Sequence, residues 1–348
     1  MNNIKLDRTY VGSDLPCYVV AEIGQNHNGD ISIAEQLIDM AIRCGANAVK
    51  FQKRSLSLEL TDEAFNAPYI NPHSYGQTYG EHREFLEFDE EQHRYLKNYA
   101  NERSITYFCT PCDIPSVEML ERIECPFYKV ASRDITNIPL LEKLATLNKP
   151  IIISVGMADI DDITHAIKYL MPENNDIIIT HCVSEYPCKV ENVNLKAITT
   201  IKEKFGRLVG MSDHSSGVIV GAASVLHGAV LVEKHITLNR TMKGTDHAGS
   251  LEEDGLRKLI DYIRTIELAD GDGKIKLNPA VFSAKDKLMR SITNKVKINK
   301  GDIIKEDMLE LRSPGTGLKW VEKDKIINKK SLLEILPNTT LKSEYFEN

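Results

Sequence analysis

Short β-branched runs alternate with amphipathic helical stretches from Cys17 to about Gly271. This alternation of hydrophobic patterns is typical of parallel β/α architecture. Eight candidate strands follow one another at residues 17–24, 48–53, 106–111, 127–132, 150–156, 176–184, 208–215 and 229–237. Eight such strands predict a closed (β/α)8 barrel, which commonly takes roughly 250 residues.

Two stretches break this alternation. Residues 56–87 are rich in Asn, Pro, Tyr, His and Gly, and we expect them to form an ordered loop near a functional site. After Gly271 a linker, 273–287, leads to short β-like runs separated by Gly and Asn turns. The sequence therefore predicts a barrel domain at 1–272 and a small β-rich domain at 288–348. A domain of that size has only a modest core, so we expect it to dock on another surface.

Composition narrows the class of protein. Of the 348 residues, 42% are hydrophobic and 27% are charged, which is typical of a folded protein with a sizeable core. The formal net charge of -7 argues against a nucleic-acid or anionic-membrane partner. There is no signal-peptide pattern and no apolar run near 18 residues, so we expect a cytoplasmic location. The seven cysteines are an odd number, which indicates reduced thiols rather than a disulfide framework.

Polar side chains collect at the C-terminal ends of the candidate strands, which is where barrel enzymes bind their ligands. Lys50 and Gln52 share one face of the second strand. Two lysines and four hydroxyls at strand ends describe an anion cradle; they are Lys50, Lys129, Thr110, Ser132, Ser154 and Ser212. A buried lysine at such a place also serves as a Schiff-base nucleophile or in a structural ion pair, and both readings stay open.

Two histidines occupy matched positions at the ends of neighbouring candidate strands, His214 and His235. Two imidazoles so placed share a divalent cation and leave coordination positions for water and a carbonyl oxygen. His181 has no such partner, and we interpret it as a structural residue or as one that supports the site residues without contacting the ligand.

An ordered set of segments resembles the sialic acid synthase family. The segments are AEIGQNHNGD, AVKFQK, YKVAS, SVGM, HCVSEYP, GMSDHS, VEKHIT and KGTDHAGSLE. The tail, KINKGDIIKEDMLELRSPGTG, looks like the antifreeze-like (SAF-type) domain of these enzymes. The resemblance covers almost the whole chain and implies a TIM barrel followed by that domain. It also implies condensation of phosphoenolpyruvate with N-acetylmannosamine, its 6-phosphate or a related N-acetylated amino-sugar aldehyde, with release of phosphate.

The same resemblance implies roles for individual residues. Glu22 would be the acid/base residue, and His214 and His235 would bind a divalent cation, Mn2+, with Mg2+ or Co2+ as alternatives. Phosphoenolpyruvate would be held by Lys50, Thr110, Lys129, Ser132, Ser154, Ser184 and Ser212. The sugar would face Gln52, Tyr186, Asp246 and Arg312. Family members resemble domain-swapped homodimers, so Arg312 would reach the barrel of a partner subunit.

Two departures from the family pattern concern the site. ASRD at 131–134 replaces the usual GSGE or GSGD, so Arg133 brings a bulky cation close to the predicted phosphate position. Ser313 is an extra residue in the RSPGTG segment. Two other functions remain as alternatives: a Schiff-base pyruvate aldolase using Lys129 or Lys50, and a non-enzymatic module that binds a surface through its antifreeze-like tail.

Overall fold

The structure is a computed structural model that describes residues 3–170 and 176–347. The chain divides into two compact units, Met1–Gly271 and Asp272–Asn348. In the first unit a short hairpin of β1 (Ile4–Leu6) and β2 (Thr9–Val11) precedes a closed barrel of eight parallel strands. The barrel strands are β3 (Tyr18–Gly24), β4 (Ala48–Lys53), β5 (Thr106–Pro111), β6 (Tyr128–Val130), β7 (Ile151–Ser154), β8 (Ile177–His181), β9 (Leu208–Asp213) and β10 (Ala229–His235). Neighbouring strands pair in chain order and β10 pairs with β3, so the predicted TIM barrel is confirmed.

Helices separate the barrel strands. They are α1 (Ile31–Cys44), α2 (Leu56–Glu59), α3 (Asp62–Phe65), α4 (Tyr79–Leu86), α5 (Glu90–Glu102), α6 (Ile114–Arg122), α7 (Ile138–Ala145), α8 (Ile160–Leu170), α9 (Lys196–Phe205), α10 (Ile219–Ala223) and α11 (Glu253–Asp270). Helix α1 shows why the sequence folds in this way. The Asp30 side chain accepts a hydrogen bond from the Ser32 amide at its start, and Gly45, with a φ of 85°, ends it. Leu37, Ile38 and Ala41 recur at helical spacing and are buried.

The barrel strands are apolar on both faces along most of their length. Ile151, Ile152 and Ile153 of β7 are fully buried, as are Ile177 and Ile178 of β8. This burial of both faces is expected for parallel strands that are covered by helices. Polar residues enter the strands mainly toward their C-terminal ends, and that is where the fold gathers its chemistry.

The insertion after β4 is ordered and carries the three short helices α2, α3 and α4. Helix α4 begins at a capping box, in which the Thr78 side chain accepts from the Glu81 amide while the Glu81 carboxylate accepts from the Thr78 amide. The segment is therefore a built part of the barrel's C-terminal side rather than an open loop.

The second unit contains α12 (Phe282–Leu288) and an antiparallel pair, β11 (Ser291–Asn294) and β12 (Leu309–Arg312). Its own small core includes Ile292, Ile298 and Ile326. Helix α12 falls largely within the stretch that the sequence predicts as a linker, and the Ser313 hydroxyl donates to the Leu288 carbonyl at 3.1 Å. Among the helices of the described residues, none has the length and apolar character needed to cross a membrane.

Candidate active site

A cavity of about 410 Å3 lies at the C-terminal ends of the barrel strands. It is lined by every residue that the sequence predicts for the site except Arg312, namely Glu22, Lys50, Gln52, Thr110, Lys129, Ser132, Ser154, Ser184, Tyr186, Ser212, His214, His235 and Asp246. Arg312 lies on β12 in the second unit, where its Nε is 2.8 Å from Glu310 Oε1. The volume is in the range of ordinary small-molecule sites.

The strand register explains why residues far apart in sequence meet here. Glu22 on β3 lies level with Lys50 on β4 and with His235 on β10. Glu233 on β10 lies level with Ser212 on β9. Because side chains alternate along a strand, residues at matched register point into the same part of the barrel.

Two buried lysines and two buried carboxylates form an ion-pair network at the floor of the cavity. Lys50 Nζ is 2.9 Å from Glu22 Oε1 and 3.6 Å from Glu233 Oε1, and Lys129 Nζ directly contacts Glu233 Oε1. Lys50 also donates to Thr110 Oγ1 at 3.2 Å. All four charged side chains are at most 5% exposed, so their charges act in a poorly screened environment.

Burial and charge oppose each other in this network. Burial would lower the pKa of Lys50, but Glu22 and Glu233 outweigh it and hold that pKa above its ordinary value. Burial lowers the pKa of Lys129, although Glu233 opposes the shift. For Glu233 burial would raise the pKa, and the two ammonium groups overcome it and hold the pKa below its ordinary value. Glu233 therefore stays ionised and balances both lysines.

The hydroxyls predicted to hold an anion are positioned by neighbouring strands. Ser154 Oγ is 2.8 Å from Thr180 Oγ1, and Ser132 Oγ accepts from the Gly156 amide at 3.0 Å. A Cβ at Gly156 would stand 2.6 Å from Ser184 Oγ, so only glycine permits this close approach of the two strand ends. Hydroxyls of this kind can donate to phosphate or carboxylate oxygens.

His214 and His235 lie side by side at the cavity wall, with ring centroids 5.8 Å apart. His214 Nδ1 donates to the Val183 carbonyl at 2.8 Å, so Nε2 carries the lone pair of the ring, and it accepts from the Tyr186 hydroxyl at 3.2 Å. Burial, with a contribution from His235, lowers the pKa of His214 to about 4, so the ring is neutral near pH 7. His235 Nδ1 is buried without a hydrogen-bond partner in the described residues, and Asp246 Oδ2 is 4.0 Å away.

These features fit a divalent cation, because such an ion binds imidazole nitrogens, and two imidazole rings lie side by side here with one ring nitrogen, His235 Nδ1, unpartnered among the described residues. Within residues 3–170 and 176–347 no three His, Cys, Asp or Glu side chains converge as ligands. A cation held by His214 and His235 would therefore complete its coordination with water and substrate oxygens.

Glu22 is oriented by a chain of side chains that starts outside the cavity. Its Oε1 accepts from Gln52 Nε2 at 2.9 Å, and Gln52 Oε1 accepts from Arg54 Nη2 at 2.6 Å. Arg54 is 2% exposed and its Nε is 2.8 Å from Glu87 Oε1. The buried guanidinium thus fixes which way the Gln52 amide points, while Glu22 Oε2 stays buried without a partner among the described residues.

Arg133 lines the cavity, as the departure from the family pattern predicts, but its charge is compensated. Its Nη1 is 3.0 Å from Glu59 Oε1 and its Nε is 3.4 Å from Asp134 Oδ2. Its Nη2 also donates to Cys112 Sγ at 2.9 Å. Cys112 and the six other cysteines are free, and burial raises the pKa of the Cys112 thiol, which does not favour a reactive role.

Two loops close the sides of the cavity. Asn26, in the loop after β3, donates to the Ile236 carbonyl and to Ser250 Oγ, both at 2.8 Å. Ser250 Oγ in turn donates to the Asp246 carbonyl at 2.7 Å. His181 lies away from this wall and bonds the Val193 carbonyl through Nε2 at 2.7 Å, which agrees with its interpretation as a structural residue.

Several lining residues were not predicted as site residues, and they differ in how visible they are from sequence. Glu233 stands two positions before His235 on the same strand face, so the strand period would have selected it. Arg83 comes from α4 in the insertion, and Arg54 acts from outside the cavity. No sequence pattern marks either arginine.

The chain is similar to known proteins over most of its length. The sequence model of the NeuB family matches residues 37–275. The chain is 38% identical over 342 residues to the human N-acetylneuraminate-9-phosphate synthase, covering 97% of this chain and 95% of that protein. It is 36% identical over 315 residues to the N,N'-diacetyllegionaminic acid synthase of Campylobacter jejuni, covering 89% of this chain and 94% of that protein. The N-acetylneuraminic acid synthetase structure from Leptospira borgpetersenii, a complex with citrate, has a TM-score of 0.72 at 32% identity and covers 81% of this chain and 95% of that chain.

Proposed function

Because this chain belongs to the NeuB family, we propose that it condenses phosphoenolpyruvate with an N-acetylated amino-sugar aldehyde, forms a nonulosonic acid and releases phosphate. One observation carries the proposal: the cavity combines a buried lysine pair, a ring of hydroxyls, an oriented glutamate and two adjacent histidines in a single space. The similar proteins named above are synthases of such acids, which favours this function over an aldolase or a non-enzymatic module.

Lys50 and Lys129 bind the donor in this proposal. Their ammonium groups and the hydroxyls of Ser132, Ser154 and Ser184 supply donors for the phosphate and the carboxylate of phosphoenolpyruvate, and Thr110 and Ser212 lie against the two lysines. Glu233 balances the positive charge of both lysines. Gln52, Tyr186 and Asp246 line the same cavity and would meet the sugar.

Glu22 handles the proton of the attacking water. C3 of phosphoenolpyruvate bonds to the aldehyde carbon, and the aldehyde oxygen takes up a proton. Water then adds at C2 and loses a proton with the help of Glu22, and phosphate leaves as the C–O bond breaks. The unpartnered Oε2 of Glu22 is the atom available for this work, because Oε1 is occupied by Gln52 and Lys50.

His214 and His235 would hold a divalent cation, which we take to be Mn2+, with Mg2+ or Co2+ as alternatives. When bound, such an ion polarises the aldehyde oxygen of the acceptor. His214 is fixed for this role by its hydrogen bond to the Val183 carbonyl.

The test is an assay of phosphate release from phosphoenolpyruvate in the presence of candidate acceptors. We expect activity to be lost in EDTA and regained with Mn2+, and to be abolished in His214→Ala while the thermal midpoint changes little. Glu22→Gln should bind phosphoenolpyruvate but turn over at least roughly 100-fold more slowly. Activity with free pyruvate, and borohydride trapping of pyruvate on Lys129 or Lys50, would show an aldolase instead.

The second unit would be an antifreeze-like domain that completes the site of a partner subunit in a domain-swapped homodimer. Arg312, exposed beside a Pro- and Gly-containing turn on this unit, is the residue that would contact the acetamido sugar. Mixing Arg312→Ala subunits with Glu22→Gln subunits should regenerate some active sites, because one site of the heterodimer keeps both residues. If subunits exchange and activity never exceeds that of the parents, Arg312 does not act across the interface.

We also propose a cytoplasmic location, because phosphoenolpyruvate is an intracellular metabolite. Fractionation of cells that produce the protein tests this, and recovery of the enzyme outside the cytoplasm would contradict it.

A further inference from the structure

The insertion between β4 and β5 delivers one arginine to the cavity. Tyr75 in this insertion donates from its hydroxyl to the Lys243 carbonyl at 2.5 Å and stacks on Phe85 with centroids 4.5 Å apart. The Gly244 amide donates to His73 Nδ1 at 3.3 Å. These contacts dock the insertion on the loop after β10, so that Arg83 of α4 lines the cavity together with that loop.

Arg83 differs from the other basic side chains that line the cavity. The lysine and arginine side chains that line the cavity are Lys50, Arg83, Lys129 and Arg133. Each of the other three has its own carboxylate: Glu22 Oε1 lies 2.9 Å from Lys50 Nζ and Glu59 Oε1 lies 3.0 Å from Arg133 Nη1. Glu233 contacts Lys129 directly. Across residues 3–170 and 176–347, Arg83 forms no ion pair with a carboxylate. Three of the four positive charges are thus balanced within the protein and the fourth is not.

The guanidinium of Arg83 is already oriented. Its Nε donates to the Tyr79 hydroxyl at 2.9 Å, and its Cζ stands 5.1 Å from the centroid of the Tyr79 ring. This contact holds one edge of the planar group, while Nη1 and Nη2 have no hydrogen-bond partner in the described part of the chain. Two parallel N–H donors on a fixed plane match the oxygens of a phosphate in bidentate geometry.

Arg83 reaches the cavity from a different element than the two lysines that would bind the donor. Lys50 and Lys129 are on barrel strands and converge on Glu233 at the floor of the cavity. Arg83 is on an inserted helix and shares the loop wall with Thr245 and Asp246. A half-buried guanidinium with no carboxylate within ion-pair distance in the described residues is a position at which a bound anion gains most.

We infer that Arg83 binds a phosphate group on the acceptor, so that the acceptor is a hexosamine 6-phosphate and the product carries that phosphate at its far end. This inference rests on the proposed condensation and adds the acceptor class to it. A neutral acceptor would leave the guanidinium without an ion-pair partner.

The experiment compares kcat/KM for N-acetylmannosamine and its 6-phosphate in the wild-type enzyme, Arg83→Gln and Arg83→Lys. We expect the wild type to prefer the phosphorylated sugar. Arg83→Gln should lose about 10- to 100-fold in kcat/KM on that sugar, mainly through KM, and should keep its rate on N-acetylmannosamine, since a charged bidentate contact is worth a factor of that size. Arg83→Lys should keep part of the preference, because lysine keeps the positive charge but lacks the two parallel N–H donors of the guanidinium.

Arg43→Gln is the matched control, because Arg43 lies on α1 in an exposed pair with Glu253 and away from the cavity. It should not change the ratio of the two kcat/KM values. Equal loss on both sugars in Arg83→Gln, or a wild-type enzyme that uses N-acetylmannosamine or a 2,4-diacetamido-6-deoxy hexose better than the 6-phosphate, would overturn the assignment of Arg83 alone. An enzyme that releases no phosphate with any acceptor would overturn the proposed condensation itself.

Discussion

Replacing Glu233 by Gln removes the one carboxylate that balances both lysines of the cavity floor. Glu233 Oε1 contacts Lys129 Nζ, lies 3.6 Å from Lys50 Nζ and accepts from Ser212 Oγ at 3.1 Å. The side chain is 3% exposed, so bulk water screens its charge poorly. The amide has the same shape and no charge, which isolates the electrostatic effect from packing.

The structure sets the size of this effect. At 3.6 Å and an effective dielectric constant of about 20, the attraction between Glu233 and Lys50 alone is about 5 kcal/mol before desolvation is subtracted. Leaving a buried charge without its partner costs roughly 3–5 kcal/mol, and we expect Glu233→Gln to lose that much in free energy of unfolding. An anion would then meet less repulsion, so the affinity for phosphoenolpyruvate should rise about tenfold, which adds about 1.4 kcal/mol of stabilisation at saturation.

Urea unfolding followed by circular dichroism, with and without saturating phosphoenolpyruvate, measures both effects. Glu267→Gln is the control, because Glu267 pairs with Arg264 at 2.9 Å outside the cavity. It should lose less stability and respond to phosphoenolpyruvate as the wild type does. If Glu233→Gln is as stable as the wild type, or gains less from phosphoenolpyruvate than the wild type gains, the reasoning about the lysine pair is wrong.

Three further outcomes are expected. Asp213→Asn should lower the free energy of unfolding by roughly 3–5 kcal/mol, because the buried Lys234 Nζ, 2.7 Å from Asp213 Oδ2, loses its partner. Adding Lys234→Met should recover much of this loss in urea unfolding, and a double variant no more stable than the single one would contradict the explanation. Burial lowers the pKa of His93 to about 3, so between pH 6.5 and about 3 the unfolded chain protonates this imidazole more readily than the folded chain, and the free energy of unfolding falls by up to about 1.4 kcal/mol per pH unit as the pH drops. His93→Gln should show a shallower fall between pH 6 and 4, and an unchanged slope would show that His93 does not cause it. Arg54→Leu should lower kcat at least about tenfold with little change in the KM for phosphoenolpyruvate, because Gln52 is no longer oriented, and Arg54→Lys should be milder; equal effects on kcat and KM would point to a general loss of structure.

The barrel was predictable because its signal is local. The bounds of β4 and β5 agree with the predicted runs, and all eight barrel strands were identified. The prediction extended β6 through Ser132, where the structure instead begins a short 3-10 helix, Ser132–Asp134. The hairpin β1–β2 and the helices α2 and α3 were not predicted, since elements of three or four residues are too short to show a hydrophobic period.

The candidate site was predictable where polar residues stand at strand ends. Lys50, His214 and His235 could be selected by this rule alone, and the family resemblance implied the further residues that line the cavity. The rule fails for Arg83 and Arg54. Arg83 reaches the cavity from an inserted helix. Arg54 lies outside the cavity and acts through its hydrogen bond to Gln52.

The sequence by itself determined which residues face the barrel interior, because alternation along a strand is a property of neighbouring positions and needs no tertiary contact. Only the tertiary structure decided which charges meet: Glu233 and Lys50 are 183 positions apart, and closure of the barrel brings Glu233 beside Lys50 and Lys129. The same holds for Arg83, whose lack of a carboxylate partner in the described residues can be seen only once every neighbour is placed. Pairing and burial set the energy of a charge, and both depend on groups that are distant in sequence.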